Sequence, residues 1–465
     1  MTHKVRYFTG HLYKLALIFA SFMLCSSAAH AQERERVAPI ELIGRDLIVL
    51  MNSLTEGIND PSKRLPVAPM IKRAKEAVEK TPLFQIAKAS ESLATARLDE
   101  ANAALLPQVN GGVSAGTRGY DATGGYVQGR YEVAQLSVSQ LVYDFGATLN
   151  LRDAASDRVD ATRYSARRQQ SELMLTSIQL FYETQRALLQ VRLSRENLQA
   201  RRALVNFIRE RTGLGASSVA DVVRAEAQVA DALDLLAASM KALTQAQARY
   251  REFYLAEAQP YVLPADIEAE DIVLRDLDDH VKKHPSVVEA ELKFAAARKE
   301  YEAAKARVNG GVSLELSHSR TRNPGGTASL ADTSVLLSYK GSLYSGGADS
   351  ARREQALITF EQARLDVERV KLEITKNIRD SVAEYSGQIA GLRSRLLVFK
   401  GAEDAYAITK DLYAFSRSSL FELLRAQESL YSSGQKLIDN IVDKSLAKYR
   451  TLHEVDMLLA ALEGY

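Results

Sequence analysis

Apolar side chains along this chain follow a helical spacing, switch to alternation, return to helical spacing, and then repeat the whole cycle. In the helical stretches Leu175, Tyr182 and Leu189, then Val191, Leu198 and Val205, recur every seven residues. Leu424, Tyr431, Ile438, Leu452 and Leu459 form a similar line interrupted by Ser445, with Leu423, Leu430 and Leu437 beside it. Two adjacent apolar seams suit a helix with a neighbour on each side, in a curved wall or in an antiparallel coiled-coil bundle. The run Ala147–Thr212 holds neither Gly nor Pro, so nothing in it breaks the hydrogen-bond ladder. At 1.5 Å per residue it reaches roughly 99 Å, and its counterpart Ala348–Ser416 roughly 104 Å. Leu83–Leu106 with Ser217–Ala256, and Ser286–Arg307 with Ser419–Leu462, are predicted to lie end to end against these long helices.

The alternating stretches predict strands. Val312, Leu314 and Leu316 alternate with Ser313, Glu315 and Ser317, and Val335, Leu337 and Tyr339 with Ser334, Ser338 and Lys340. Leu136 and Val138 alternate with Ser137 and Ser139 in a weaker copy. Strands are expected at about 108–118, 125–143, 308–320 and 329–343. Each pair ends in a sharp turn, Tyr143-Asp-Phe-Gly146 or Tyr344-Ser-Gly-Gly347, that feeds a long helix. Four strands with one apolar face cannot close a barrel, and an open edge cannot sit in lipid. Either they form a soluble sheet, or several chains pool their strands; three chains would give twelve, within the outer-membrane barrel range.

The repeat is explicit in the residues. Val109-Asn-Gly-Gly-Val-Ser114 returns as Val308-Asn-Gly-Gly-Val-Ser313, and Asp221-Val-Val-Arg-Ala-Glu226 returns 201 residues on as Glu422-Leu-Leu-Arg-Ala-Gln427. Gly213 and Gly215 stop the first long helix, and Ser217 and Ser218 are available to cap the next. The expected organisation is an extension and first helix at 32–80, a first repeat at 81–259 with a tip turn at 211–218, a connector at 260–283, and a second repeat at 284–465 with a tip turn at 413–419.

Residues 1–31 read as a secretory signal, with Lys4, Arg6 and Lys14 before the apolar Leu15–Leu24 and an Ala29-His-Ala31 cleavage site. Leu24 before Cys25 is too bulky for a lipoprotein signal, and no lipid anchor is expected. Residues 32–465 carry 57 basic and 58 acidic side chains, a formal charge of −1, which removes an electrostatic case for nucleic acid. No later segment reaches eighteen consecutive apolar residues, so no membrane-spanning helix is expected.

Catalytic chemistry is not expected. His280 and His284 have zinc-pair spacing but no third ligand nearby, so no metal is assigned, and no cofactor. Asn110-Gly-Gly and Asn309-Gly-Gly lead from helix into strand, opposite to a phosphate-binding loop. No H-E-x-x-H or Cys nucleophile follows the signal.

From about Pro69 to Leu462 the chain resembles the TolC family of outer-membrane efflux and secretion ducts, in its duplicated helix–hairpin–long helix–turn–helix order, in Tyr344-Ser-Gly-Gly and in the two tip turns. The resemblance implies a mainly α homotrimer with a twelve-stranded β-barrel in outer-membrane lipid and a periplasmic helical tunnel. Leu420-Phe-Glu-Leu-Leu-Arg-Ala-Gln427 and the run from Tyr449 look most like the type I secretion branch, which exports large adhesins. A periplasmic adaptor (membrane fusion) protein and an inner-membrane ABC or proton-driven transporter are the implied partners.

The resemblance also implies site residues. Tyr413 and Glu422, with Asp221 in the first repeat, fall at the gate that holds the tunnel mouth shut, with Arg417 and Arg425 the nearest cations. Arg425 stands where a second gate carboxylate is found in the family, and its three-residue spacing from Glu422 would let the two pair. Arg211, Gly213, Leu214 and Gly215, with Ser416, Arg417, Ser418 and Leu420, fall where the tip meets the adaptor. Without the resemblance each charged residue there reads as a solvated helix end. Gly111, Gly112 and Gly146, with Gly310, Gly311, Gly346 and Gly347, are expected at the joints where tilted strands turn into axial helices. The expected function is a passive export duct, for protein secretion or for drug efflux; a coiled-coil scaffold without a pore is the rival.

Overall fold

A computed structural model describes residues 66–122, 125–258, 263–264, 277–322 and 329–464. The expected signal at 1–31, the extension before residue 66 and most of the connector lie outside the described residues. The order of elements is α1 (Ala68–Lys80), α2 (Pro82–Ala103), β1 (Gln108–Ala122), β2 (Gly125–Tyr143), α3 (Ala147–Gly213), α4 (Val219–Tyr254), α5 (Leu277–Lys283), α6 (Pro285–Arg307), β3 (Gly311–Arg322), β4 (Leu330–Lys340), α7 (Ala348–Ala414), α8 (Leu420–Glu454) and α9 (Leu458–Glu463). Both long helices, α3 and α7, have 67 residues. That is about 100 Å of continuous helix each.

The helices start and stop where local chemistry dictates. Pro82 and Pro285 open α2 and α6, where a missing N–H costs nothing. α3 and α7 end in matched turns: Ala216 N–H donates to Arg211 O and Arg417 N–H to Leu412 O, both at 2.8 Å. The residue that turns left-handed is Gly215 in the first tip (φ 74°) and Ser416 in the second (φ 60°). The helix expected to run unbroken over 419–462 is two. Asp456 turns left-handed (φ 57°) between α8 and α9, and Met457 N–H closes the turn on Leu452 O at 2.8 Å. Asp tolerates that conformation without the help of Gly or Pro.

α3 packs along α4, α6, α2 and α8, while α7 packs along α8 and α6. One core fills the tip half, where Leu193, Ile208, Phe399, Leu423, Leu430 and Leu437 are buried. A second joins α1, α3, α8 and α9 through Ile71, Ile178, Tyr182, Tyr449 and Leu452. Both seams read from α8 face these cores. Nearer the sheet, α7 is barely covered, and its buried residues begin only at Ile374.

The strands form one antiparallel sheet in the order β1-β2-β3-β4, so among the described residues no strand pairs with the outer edge of β1 or of β4. At the helix end of the sheet, Asp144 Oδ1 and Oδ2 accept from Gly146 N–H (3.1 Å) and Thr148 N–H (2.7 Å), turning β2 into α3. The equivalent turn into α7 uses two consecutive left-handed glycines, Gly346 (φ 63°) and Gly347 (φ 87°). Gly310 is also left-handed and passes so close to β4 that a Cβ would lie 2.4 Å from Lys340 O. Gly111 and Gly112 correct the expectation of four matched joints. They sit inside β1, opposite Leu136 and Gln135, and are not among the left-handed glycines. Pro107 follows the end of α2 at Ala103, so the first half is already extended at Gln108 and needs no glycine bend there.

Candidate functional site

The two tip turns stand side by side at the end of the column farthest from the sheet, and Arg211 holds them together. Its Nη1 donates to Tyr413 O at 2.8 Å and its Nη2 to Ser416 Oγ at 2.7 Å. The guanidinium also lies over the Tyr413 and Phe207 rings, 5.0 and 5.7 Å from their centroids. A planar, permanently charged fork suits this double task of stacking and donating. Tyr413 is buried, edge-on to Phe207 with centroids 6.1 Å apart. Leu420 is buried in the tip core, and Gly213 is the last residue of α3.

Asp221 and Glu422 occupy matched positions with a local task. Ser218 Oγ accepts Asp221 N–H at 3.1 Å, and Asp221 Oδ2 accepts Ser218 N–H at 3.2 Å, a capping box on α4. Ser419 and Glu422 do the same for α8, with distances of 3.2 and 3.1 Å. Ser418 Oγ adds a third bond to Glu422 Oε2 at 2.6 Å. The Ser418 hydroxyl and then the Ser419 N–H hold the Glu422 carboxyl below the usual carboxylate range. Within the chain no ion pair joins Glu422 to Arg425; Asp221 instead meets Arg224 at 3.5 Å. Arg417 and Arg425 are exposed.

Around this polar junction the tip surface is apolar. Leu214 is 85% exposed, Phe415 77% and Phe421 71%. Leu214 and Phe415 each precede the left-handed residue of their turn. Sequence reasoning passed over Phe415 and Phe421, although the 201-residue offset aligns Leu214 with Phe415. It also passed over Arg201, buried at 2% exposure between the helices, where it reaches Glu428 Oε2 at 2.5 Å and bonds to Gln228 Oε1.

At the other end, strand register separates the sheet into two faces. Val109–Val138–Leu316–Val335 and Gly111–Leu136–His318–Thr333 lie in cross-strand rows on one face, with Leu314 and Leu337 between the same strands. Ser137, Ser139, Ser313, Glu315, Ser317 and Ser334 lie on the other. The apolar face is bare, with Val113 86% and Leu337 70% exposed. No described helix is long and apolar enough to cross a membrane.

A helical column of this length, joined to a small sheet with one bare apolar face, is the fold of the outer-membrane channel-tunnel proteins. The chain belongs to the outer membrane efflux protein family, whose model matches residues 74–253 and 277–443, one stretch in each repeat. It is 23% identical over 482 aligned positions to a Salmonella typhimurium protein named "Probable outer membrane lipoprotein SilC", covering 98% of this chain and 100% of that one. In fold it is similar to the crystal structure of CusC (TM-score 0.76, 18% identity, 84% of this chain and 93% of that chain). It is similar also to a membrane protein from Pseudomonas aeruginosa (TM-score 0.77, 18% identity, 84% and 95%). The outer-membrane channel OprN follows at TM-score 0.75, with 16% identity over 84% of this chain and 92% of that chain.

Proposed function

We propose that three copies of this chain close a twelve-stranded barrel in the outer membrane and continue it as a periplasmic helical tunnel. The duct is passive, without a catalytic role, and serves small-molecule efflux. The observation that carries this is the four-stranded sheet with both edges unpaired and one apolar face exposed, which neither water nor lipid tolerates in a single chain. Three such sheets joined edge to edge leave no open edge. Uncovered apolar residues on α7, such as Leu365 and Leu372, and on α4, such as Val223 and Met240, supply surface for the neighbouring copies. Membership of an efflux family favours efflux over the type I secretion suggested by Leu420–Gln427.

In this reading the apolar rim of Leu214, Phe415 and Phe421 receives the periplasmic adaptor, and an inner-membrane transporter supplies the energy. The mouth closes where three copies of the Arg211–Tyr413 junction and of Asp221 and Glu422 meet near the axis. Planar-bilayer recording tests this directly. Wild-type protein should give small, rarely open channels, and Asp221→Ala with Glu422→Ala should raise conductance. Assembled trimers of the double variant with unchanged conductance would place the closure in the Tyr413 packing instead. A deletion strain that keeps full resistance to dyes and drugs yet fails to release a large surface protein would favour secretion.

A further inference from the structure

The apolar face of the sheet changes character toward the end farthest from the helices. Register places Arg320 opposite Ala134 and Ala331, and Arg322 opposite Glu132, on the face that carries Leu314 and Leu316. Arg130 follows on the same face of β2, two residues beyond Glu132. From Leu316 to Arg320 is four residues, roughly 13 Å along the strand. Arg130 and Arg322 keep 78% and 56% of their side-chain surface exposed. They share one carboxylate, Glu132, which lies 3.8 Å from Arg322 and is also bonded by Arg130. Among the described residues Arg320 makes one hydrogen bond, Nε to Ser329 Oγ at 2.9 Å, and no ion pair. Three guanidinium groups around one carboxylate leave a local excess of two positive charges; Asp121 lies beyond them, opposite Tyr126 near the hairpin tip.

The helix end of the same face is different. It presents Tyr143 and Tyr339, opposite and beside Val312, and no cation. Arg118, on the opposite face of β1, stacks over Tyr131 at 5.1 Å and so is separate from this cluster. A bare apolar band bounded by aromatics at one end and by forked cations at the other matches an amphiphile with phosphates at one end only. Guanidinium forks bind phosphate oxygens in pairs, and the neighbouring Leu and Val side chains offer the surface that acyl chains need.

We propose that Arg130, Arg320 and Arg322 form a binding site for the phosphates of an anionic lipid whose chains lie along Leu314, Leu316, Val335 and Leu337. The site rests on the membrane-barrel reading above and places the lipid in the leaflet remote from the helical column. Glu132 acts as a positioning residue, spacing two of the arginines so that they converge without a bound anion.

Native mass spectrometry of the full chain, released from an uncharged detergent, tests the proposal with bisphosphorylated lipid A as the probe. The wild type should retain the lipid, and Arg130→Gln with Arg320→Gln and Arg322→Gln should weaken retention about tenfold or more, as loss of charge-assisted bonds predicts. Arg118→Gln, on the opposite face, should change nothing. Dephosphorylated lipid A should bind no better to the wild type than to the triple variant, and inorganic phosphate at equal concentration should not compete. Equal retention by the triple variant, equal binding of the dephosphorylated lipid, or displacement by inorganic phosphate would each overturn the site. If the triple variant does not assemble, Arg320→Gln alone replaces it, with a loss of several-fold expected and unchanged retention overturning the site. A wild-type chain that never inserts into phosphatidylcholine vesicles would remove the barrel reading itself. An inserting chain indifferent to these arginines would remove only the lipid site.

Discussion

Arg211 and His284 show how single side chains carry more structure than their spacing reveals. Arg211 stands as a basic residue before a glycine turn in the sequence, and the structure gives it both tips to hold, through two carbonyl and hydroxyl acceptors and two rings. Nothing local to Arg211 encodes its hold on the second tip, because the two acceptors there lie 202 and 205 residues away. The tip carboxylates were legible in part. Ser218-Val-Ala-Asp221 and Ser419-Leu-Phe-Glu422 carry the serine-x-x-acid spacing of a capping box, which accounts for both acids before any gate is invoked. His284 has zinc-pair spacing with His280, yet its Nδ1 accepts Ser286 N–H at 3.2 Å as a helix cap. Burial, then His453 and Arg168, pushes its pKa down to about 4 from an ordinary 6.5. The native state therefore favours neutral His284. Its contribution is complete above the ordinary value and is lost as pH falls from there toward the lowered one. Between pH 7 and pH 5 the loss should be on the order of 2 kcal/mol per chain. His284→Asn keeps an acceptor for the cap and removes the titration. Thermal unfolding should then fall less between pH 7 and pH 5 in the variant than in the wild type; equal falls would assign the acid sensitivity to other groups.

At the scale of elements, the long helices were legible because proline is absent from both, and in α3 apolar residues recur every seven positions from Leu175 to Val205. The end of the last helix was not, since Val455-Asp456-Met457 contains no residue that announces a break. The repeated Val-Asn-Gly-Gly-Val-Ser was misleading for a physical reason. An identical hexapeptide lies within β1 in one half and makes the turn into β3 in the other, because only the first copy follows a proline. The joints into the long helices offer a sharper comparison. Phe145 (φ 59°) occupies the position of Gly346, whereas Gly146 and Gly347, both at φ 87°, are glycine in each half. The fold thus already accepts a side chain at the first left-handed position. Gly347→Val should destabilise the assembled protein by about 1–2 kcal/mol or more, since a β-branched side chain is strained at that φ. Gly346→Val should cost less, and refolding yield with thermal stability of the assembled form measures the difference. Equal costs would show that the two positions are not distinguished by this geometry.

For the whole molecule, the decisive features are the surfaces that one chain leaves uncovered. Among the described residues the sheet presents two free edges and an apolar face, and α7 has no fully buried residue before Ile374. Sequence periodicity indicated two-sided helices and one-sided strands, which is why a pooled barrel was among the expectations. It could not fix how copies meet, because a register between chains depends on neither period. Edge pairing between copies is the claim on which barrel, tunnel and mouth all depend. Cysteine scanning tests it most directly, since Cys25 is the chain's only native cysteine and lies within the expected signal. Pairs would join one position on β1, from Val109 to Ala115, with one on β4, from Thr333 to Leu337, in the membrane-embedded protein. At the correct register, mild oxidation should yield covalent dimers and then trimers on a non-reducing gel, with no larger species. Cross-links absent at every register, or a ladder extending beyond three chains, would contradict a closed trimeric barrel.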